Sequence, residues 1–424
     1  MTLLPNFNLY SLISAILIFF FIMIFFYGRN RHKVNSATLV ISIYLFSIVG
    51  SWFLEPSIVP SIESYSLFAS LLFVFSLLLL CLPIVLARLE NVEIFDCVNE
   101  SLFFILAKML IVFNIIVYIY FIPQVINLFF SDESIMVLRS QVVGGTNEYA
   151  GQVPYFISFI SQFYPVAITV YFYSYIKFPE KSRFNRILLW SSTGYIINVI
   201  ASIGRDGVVL WSLSFFFSYL LFLPFIDHAR RKRIKNNIFI LMGLILSLFM
   251  VLSVGRFYRD GNIYMFFQYL LMYFSQQFGE FNQYVNKVHL ENFVWSDIFP
   301  LLKIIPGNSL NEMSLLDDHY QFLANHNFSK YVFKSFIGSF YVSVGSWGLI
   351  LITSIFSFVF SLLFGFRDKR YISLGMIILY TLYCQVILHG VFYYKLSYGV
   401  SHLYILSCIC LFVIFNFRIT LGGR

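Results

Sequence analysis

Two short stretches at the ends of apolar runs carry much of the chemistry open to this chain: SIGRDG at 202–207 and SVGRFYRDG at 253–261. Each holds an Arg-Asp-Gly triplet, Arg205-Asp206-Gly207 and Arg259-Asp260-Gly261, and Arg256 lies inside the second stretch. A guanidinium is permanently charged and binds phosphate oxygens through two parallel N–H bonds. It is also expensive to place near hydrocarbon, so an arginine at a membrane edge either snorkels to the headgroups or faces a polar cavity. Arg205 and Arg259, with Arg139 and Arg256 in second place, are therefore the candidate ligands for an anion, most simply a lipid phosphate or pyrophosphate. Asp206 and Asp260 would orient the arginines or act as acid–base groups. The bland alternative is an Arg–Asp pair joining two helix ends, with Gly207 allowing a tight turn.

A further group lies in LLDDHYQFLANHNFSKY at 315–331, which supplies Asp317, Asp318, His319 and His326. Paired carboxylates beside imidazoles can hold a divalent ion or move protons; the alternative is a solvated loop with ordinary capping acids. No HExxH or other metal-ligand spacing occurs, so neither a metal nor another cofactor is expected. The five cysteines lie in or beside apolar runs and form no paired CxxC, which argues against a disulfide framework or a zinc site.

The elements that must position these residues are membrane helices. Of 424 residues, 59% are hydrophobic and only 11% charged, a composition that excludes a soluble globular domain. Runs of about 18 or more apolar residues recur, each long enough to cross roughly 30 Å of hydrocarbon. They predict an all-α polytopic membrane protein forming a single integral domain over 1–424. About eleven helices (10–12) are expected, near 9–27, 37–54, 66–87, 101–122, 154–176, 187–203, 208–226, 238–255, 335–364, 371–391 and 398–417. Nothing in the first run suggests a cleaved leader, since no basic residue precedes it and GRNRHK follows.

Alternate connections are short and basic: GRNRHK, ARLENVEIFDCVNE, KFPEKSRFNR, DHARRKRIKNN, GFRDKR and the C-terminal tail. With Lys108 they hold 19 of the 28 lysines and arginines but 7 of the 20 acids. Basic connections stay in the cytoplasm, which puts the N-terminus outside and the C-terminus inside. The net charge of +8 is then mostly a topology signal, and no nucleic-acid partner is expected. Both triplets fall on the outer face. So do a first outer loop at 123–153 and a large one at 256–334, between helices 8 and 9. Within the latter, YMFFQYLLMYFSQQFGEFNQYV reads as a helix along the membrane surface, with Gln268, Gln276, Glu280 and Asn282 interrupting its apolar face. Nine basic residues run against the orientation rule: Arg139, Arg205, Arg256, Arg259, Lys287, Lys303, Lys330, Lys334 and Lys395.

The stretch NHNFSKYVFKSFIGSFYVSVGSWGLI at 325–350 carries a resemblance. Its His-Asn pair, then F-x-G-x-F-Y leading into a helix with Gly345-x-x-Gly348, resembles the O-antigen polymerase family, the bacterial oligosaccharide repeat-unit polymerases of the Wzy type. The layout of about eleven spans and two outer loops is also similar. The resemblance implies a glycosyltransferase-C-like membrane enzyme of the bacterial inner membrane. Such an enzyme transfers a growing glycan from undecaprenyl pyrophosphate onto a new lipid-linked repeat unit at the periplasmic face. His326 would then serve catalysis, with Asp317 and Tyr341 on the substrate. A flippase and a chain-length regulator of the same pathway would be partners. A flippase or other anion transporter explains the same arginines, and an O-antigen ligase would keep the enzyme class.

Overall fold

The computed structural model describes residues 36–54, 66–87, 94–96, 100–131, 137–138, 153–227, 230–232, 234, 262–287, 298, 335–365, 371–397 and 399–416, together with Leu17 and single positions between 243 and 254. In chain order the helices are α1 (Ser36–Ser51), α2 (Leu67–Leu86), α3 (Glu100–Phe129), α4 (Tyr155–Ser161), α5 (Tyr164–Lys177), α6 (Ser182–Ser191), α7 (Gly194–Ala201), α8 (Asp206–Phe222), α9 (Ile263–Lys287), α10 (Ser335–Leu363), α11 (Leu374–His389) and α12 (Gly399–Asn416). Six helical stretches among the described residues are long and apolar enough to cross a membrane: Leu67–Leu86, Glu100–Leu128, Tyr155–Lys177, Asp206–Phe225, Ser335–Leu363 and Gly399–Asn416. Two shorter apolar helices, α1 and α11, accompany them. The protein is thus a mostly helical membrane protein. The runs expected at 9–27 and 238–255 lie largely outside the described residues.

One departure from an all-α fold is a pair of three-residue parallel strands, β1 (Ile94–Asp96) and β2 (Tyr371–Ser373). β1 falls in the basic connection 87–100, and β2 starts directly after GFRDKR, so the pairing brings a residue of the first connection beside the segment that follows the second. That agrees with their assignment to one side.

The chain forms two compact units. The first comprises 1–88, 267–367 and 384–402; the second comprises 89–266, 368–383 and 403–424. In the first, α2 packs along α10, and α1 packs on α2. Helix α9 joins them with its polar face inward: Gln268, Gln276, Gln277, Glu280 and Asn282 are all buried, while Ile263, Tyr264 and Phe267 are exposed. The residues expected to interrupt an apolar face thus form the buried seam. Gln277 Oε1 accepts from Ser47 Oγ (3.1 Å), and Asn282 Oδ1 accepts from the Ser66 amide (3.1 Å) and Ser70 Oγ (3.2 Å). Without water to satisfy them, polar side chains in a membrane protein turn toward one another. Gly50 lets α1 approach α9, since a Cβ there would lie 2.0 Å from Ser275 Oγ.

In the second unit α3 packs against α4, α6 and α7, and α5 packs against α6 and α8. Helix α3 continues through Pro123 to Phe129, past the expected start of the first outer loop. Two breaks interrupt the helices here, and each has a local cause. Between α4 and α5, Pro165 has no N–H to give the Ser161 carbonyl, and the backbone tightens at Gln162 and Phe163. Between α6 and α7, Ser191, Ser192 and Thr193 each turn a hydroxyl onto the carbonyl three residues earlier, at 2.7, 2.7 and 2.9 Å. The breaks are filled from within the unit. Trp211 Nε1 donates to Ser192 Oγ (3.1 Å), Tyr118 pairs with Thr193, and Asn198 donates to Ser161 Oγ (3.0 Å).

Candidate functional site

The α7–α8 junction positions Arg205 and is built by a C-terminal cap of unusual composition. Gly204 N–H donates to the Val199 carbonyl and Ile203 N–H to the Ile200 carbonyl, both at 2.8 Å. This paired pattern closes a helix when the residue between takes the left-handed conformation, normally as glycine. Here that residue is Ile203, with φ 55°. A left-handed L-residue costs about 1–2 kcal/mol, and burial of the Ile203 side chain offsets it. The glycines serve close packing instead. A Cβ on Gly204 would lie 2.5 Å from Val199 Cγ1, and one on Gly207 would lie 2.5 Å from Val199 Cβ. The expectation that Gly207 makes the turn is corrected: Ile203 makes it, and Gly207, within α8, lets that helix approach Val199.

Arg205 follows as the N-cap residue of α8. Its side chain is 5% exposed, so it turns into the bundle rather than out to the headgroups. One guanidinium nitrogen donates to Ser253 Oγ at 3.1 Å, and the guanidinium carbon lies 5.8 Å from the Phe249 ring centre. Both neighbours are themselves buried. The hydroxyl dipole and the ring face both favour the cation at a site poor in water. Asp206 occupies the first turn of α8 and is half-buried. Its carboxylate there complements the helix dipole. It also lies within electrostatic reach of the Tyr164 hydroxyl, which bonds Ser214. Tyr164 stacks on Tyr195 with centroids 4.3 Å apart.

The opposite end of this unit is where the basic connections gather. Lys181 sits 3.7 Å over the Phe104 ring, Arg230 pairs with Asp227, and Arg231 donates to the Ile226 carbonyl at 2.7 Å. Because α7 and α8 form a helical hairpin, Arg205 lies at the far end from these residues.

Of the other residues expected at the site, Tyr341 is described. It sits in α10 of the first unit, buried, hydrogen-bonded to Ser346 and edge-on to Phe281 at 5.8 Å. Gly345, four residues on, breaks α10 at φ 69° and ψ −174°. Arg139, Arg256, Arg259, Asp260, Asp317 and His326 lie outside the described residues. Among the described residues no three His, Cys, Asp or Glu side chains gather where a metal ion could be held.

Sequence reasoning missed Ser253, and a signal for it was present. The two stretches share Ser-x-Gly-Arg, as Ser202-Ile203-Gly204-Arg205 and Ser253-Val254-Gly255-Arg256, so the serine of the second holds the arginine of the first. The unbroken reading of α4–α5 and α6–α7 also hid the polar breaks. Comparison with protein-family models, with curated proteins and with solved structures finds no match.

Proposed function

We propose that this chain is a membrane glycosyltransferase of the repeat-unit polymerase type. It transfers a growing glycan from undecaprenyl pyrophosphate to the sugar of a new lipid-linked repeat unit on the periplasmic face of a bacterial inner membrane. The reading includes a glycosyltransferase-C-like arrangement of about eleven spans, with the N-terminus outside and the C-terminus inside. The observation that carries it is a buried, preorganised arginine, Arg205, at the end of its unit away from the basic connections. In the reaction the bond between the anomeric carbon and pyrophosphate oxygen breaks, and its electron pair leaves with the pyrophosphate. The acceptor hydroxyl oxygen bonds the same carbon and loses its proton. Pyrophosphate is a stable anion and needs no strong acid, so catalysis falls on stabilising the growing charge, which a fixed guanidinium in a water-poor site does well. Arg205 is the proposed clamp, joined by Arg259 and then by Arg139 and Arg256. Asp206, half-buried beside Arg205, either orients it or takes the acceptor proton; Asp260, Asp317 and His326 are further bases on this reading.

The experiment is elongation of a lipid-pyrophosphate-linked repeat unit by purified protein in detergent, without nucleotide sugar. Wild-type protein is expected to lengthen the glycan, and absence of any product sinks the reading. The helix breaks at 162–163, at 192–193 and at Gly345 favour a second reading, a flippase for the same lipid. Counter-flow of labelled lipid-linked sugar without elongation decides for it.

A further inference from the structure

Two segments of the second unit run side by side and leave an outward groove that carries charge. Phe104 of α3 meets Phe184 of α6 edge-on, with ring centroids 5.7 Å apart. Ten residues further along each segment, Gly194 packs directly on Asn114 Oδ1. The two are therefore parallel and in register, and Lys108 lies level with Leu188. Hydrogen bonds fix the arrangement. Asn185 accepts from Ser174 Oγ (2.6 Å) and donates to the Phe178 carbonyl (3.1 Å), which pins α6 to α5. Tyr118 Oη donates to the Trp190 carbonyl (2.7 Å), which pins α6 to α3.

With Asn185 and Leu188 buried, the other face of α6 is exposed, and it presents Arg183, Arg186, Ile187 and Trp190. Their i, i+3, i+4, i+7 spacing makes one stripe, which passes from charge to apolar surface over roughly 10 Å. On α3 the same spacing exposes Ile105, Lys108, Met109 and Val112. Lys108 thus sits roughly two turns inside a 30-residue apolar helix, on its outward face. A cation against hydrocarbon is costly, so its long stem returns toward the polar boundary. Helical side chains lean toward the N-terminus. For α3 that is the end where Phe104 meets Phe184, so the Lys108 ammonium is carried back toward the level of Arg183.

The basic residues of this end fall into two groups. Lys181 lies over the Phe104 and Phe178 rings, and Arg230 and Arg231 bond Asp227 and backbone carbonyls. Lys108, Arg183 and Arg186 form no hydrogen bond or ion pair among the described residues. Two acids, Glu100 and Glu180, are exposed in the same segments and pair with none of the three.

We propose that this groove binds an anionic phospholipid of the surrounding bilayer. Lys108, Arg183 and Arg186 hold its phosphate, and an acyl chain lies along Ile187 and Trp190. The parts match in chemistry and in order: guanidinium forks and an ammonium at headgroup level, then a tryptophan and an isoleucine beside the chain. A zwitterionic lipid brings no net charge to three cations that the unit leaves unmatched, which selects an anionic one. The site lies wholly within the second unit and does not rest on the polymerase reading.

The test places the full chain in nanodiscs of phosphatidylcholine with a minor fraction of phosphatidylglycerol, with bromine on the acyl chains of one lipid or the other at equal mole fraction. Bromine quenches tryptophan on contact, and the Trp190 signal is the difference between wild type and Trp190→Phe. Brominated phosphatidylglycerol is expected to be enriched at Trp190 by roughly fivefold or more over brominated phosphatidylcholine. Arg183→Gln combined with Arg186→Gln should abolish the preference, and Lys108→Gln should reduce it. Trp347, an exposed tryptophan of α10, is the control, read against Trp347→Phe, with no preference expected. Equal quenching of Trp190 by the two lipids overturns the proposal, as does a preference that survives the double arginine variant. The same preference at Trp347 refutes it too, because it would then belong to the whole surface. Undecaprenyl phosphate that displaces brominated phosphatidylglycerol, where an equal amount of unlabelled phosphatidylglycerol does not, assigns the groove to a polyprenyl lipid and refutes the bilayer phospholipid.

Discussion

Arg205 donates a hydrogen bond to Ser253 across 48 residues of sequence, at 3.1 Å, with both side chains buried. The contact ties the α7–α8 junction to the segment that ends in the second Arg-Asp-Gly stretch. It converts a similarity between two stretches into a physical link.

Replacing Arg205 tests the clamp directly. Arg205→Ala should lower elongation by roughly a hundred- to thousandfold, the loss of about 2.7–4 kcal/mol typical of a preorganised donor to developing negative charge. Arg205→Lys keeps the charge but loses the planar fork, so partial activity is expected. Elongation rates at equal amounts of folded protein in the membrane are the measurement; an unimpaired Arg205→Ala enzyme removes the assignment.

Ser253 acts through Arg205 as a positioning residue. Ser253→Ala should weaken elongation by roughly ten- to hundredfold, in line with a hydrogen bond to a charged group worth about 1.5–3 kcal/mol. In a double-mutant cycle its effect should largely vanish on the Arg205→Ala background. Full additivity would mean that the serine acts elsewhere.

Packing at the same junction gives a stability prediction. Gly207→Ala drives a methyl to 2.5 Å from Val199 Cβ, an atom fixed to the backbone, so α7 and α8 must separate. A cost of about 1–3 kcal/mol follows, read as a lower Tm in detergent. Val199→Ala leaves that Cβ in place and should not rescue the variant, whereas Val199→Gly should.

Gly345 lies in a backbone region that only glycine enters readily. Gly345→Ala is expected to destabilise the protein by about 1–3 kcal/mol. A Tm equal to wild type would show that α10 can straighten at this point without loss.

The polar seam of α9 provides a last test. Asn282→Leu removes the acceptor of the Ser66 amide and of Ser70 Oγ together. The buried Ser70 hydroxyl then loses its acceptor, at a cost of about 1–3 kcal/mol read as a lower Tm in detergent. Asn282→Asp keeps an acceptor oxygen but puts an ionisable carboxyl at a fully buried position and removes the donor to the Phe278 carbonyl, so its cost should grow as the pH rises.

What was legible before folding was mostly one-dimensional. Apolar run length marked α2, α3, α8, α10 and α12 to within a few residues except at the end of α3, because crossing hydrocarbon demands an unbroken stretch of a set length. Charge along the chain marked which connections share an end, and the β1–β2 pairing agrees for two of them. The arginine at 205 stood out because a guanidinium is so costly beside an apolar run.

The tertiary structure alone decided what each polar group meets. Composition showed α9 to be an apolar helix with polar interruptions; only neighbours such as Ser47, Ser66 and Ser70 make that polar face the inner one. The turn before Arg205 could not be assigned from residue preferences, since a buried isoleucine takes a conformation that preference gives to glycine. The shared Ser-x-Gly-Arg pattern pointed to the serines, but only the fold decides that Arg205 meets Ser253 rather than its own Ser202, and that His402 folds back over Lys395–Ser397. Hydropathy is a property of each residue and its near neighbours, so it survives in one dimension. Hydrogen bonds and close packing depend on which distant segment arrives, and that is settled only when the helices assemble.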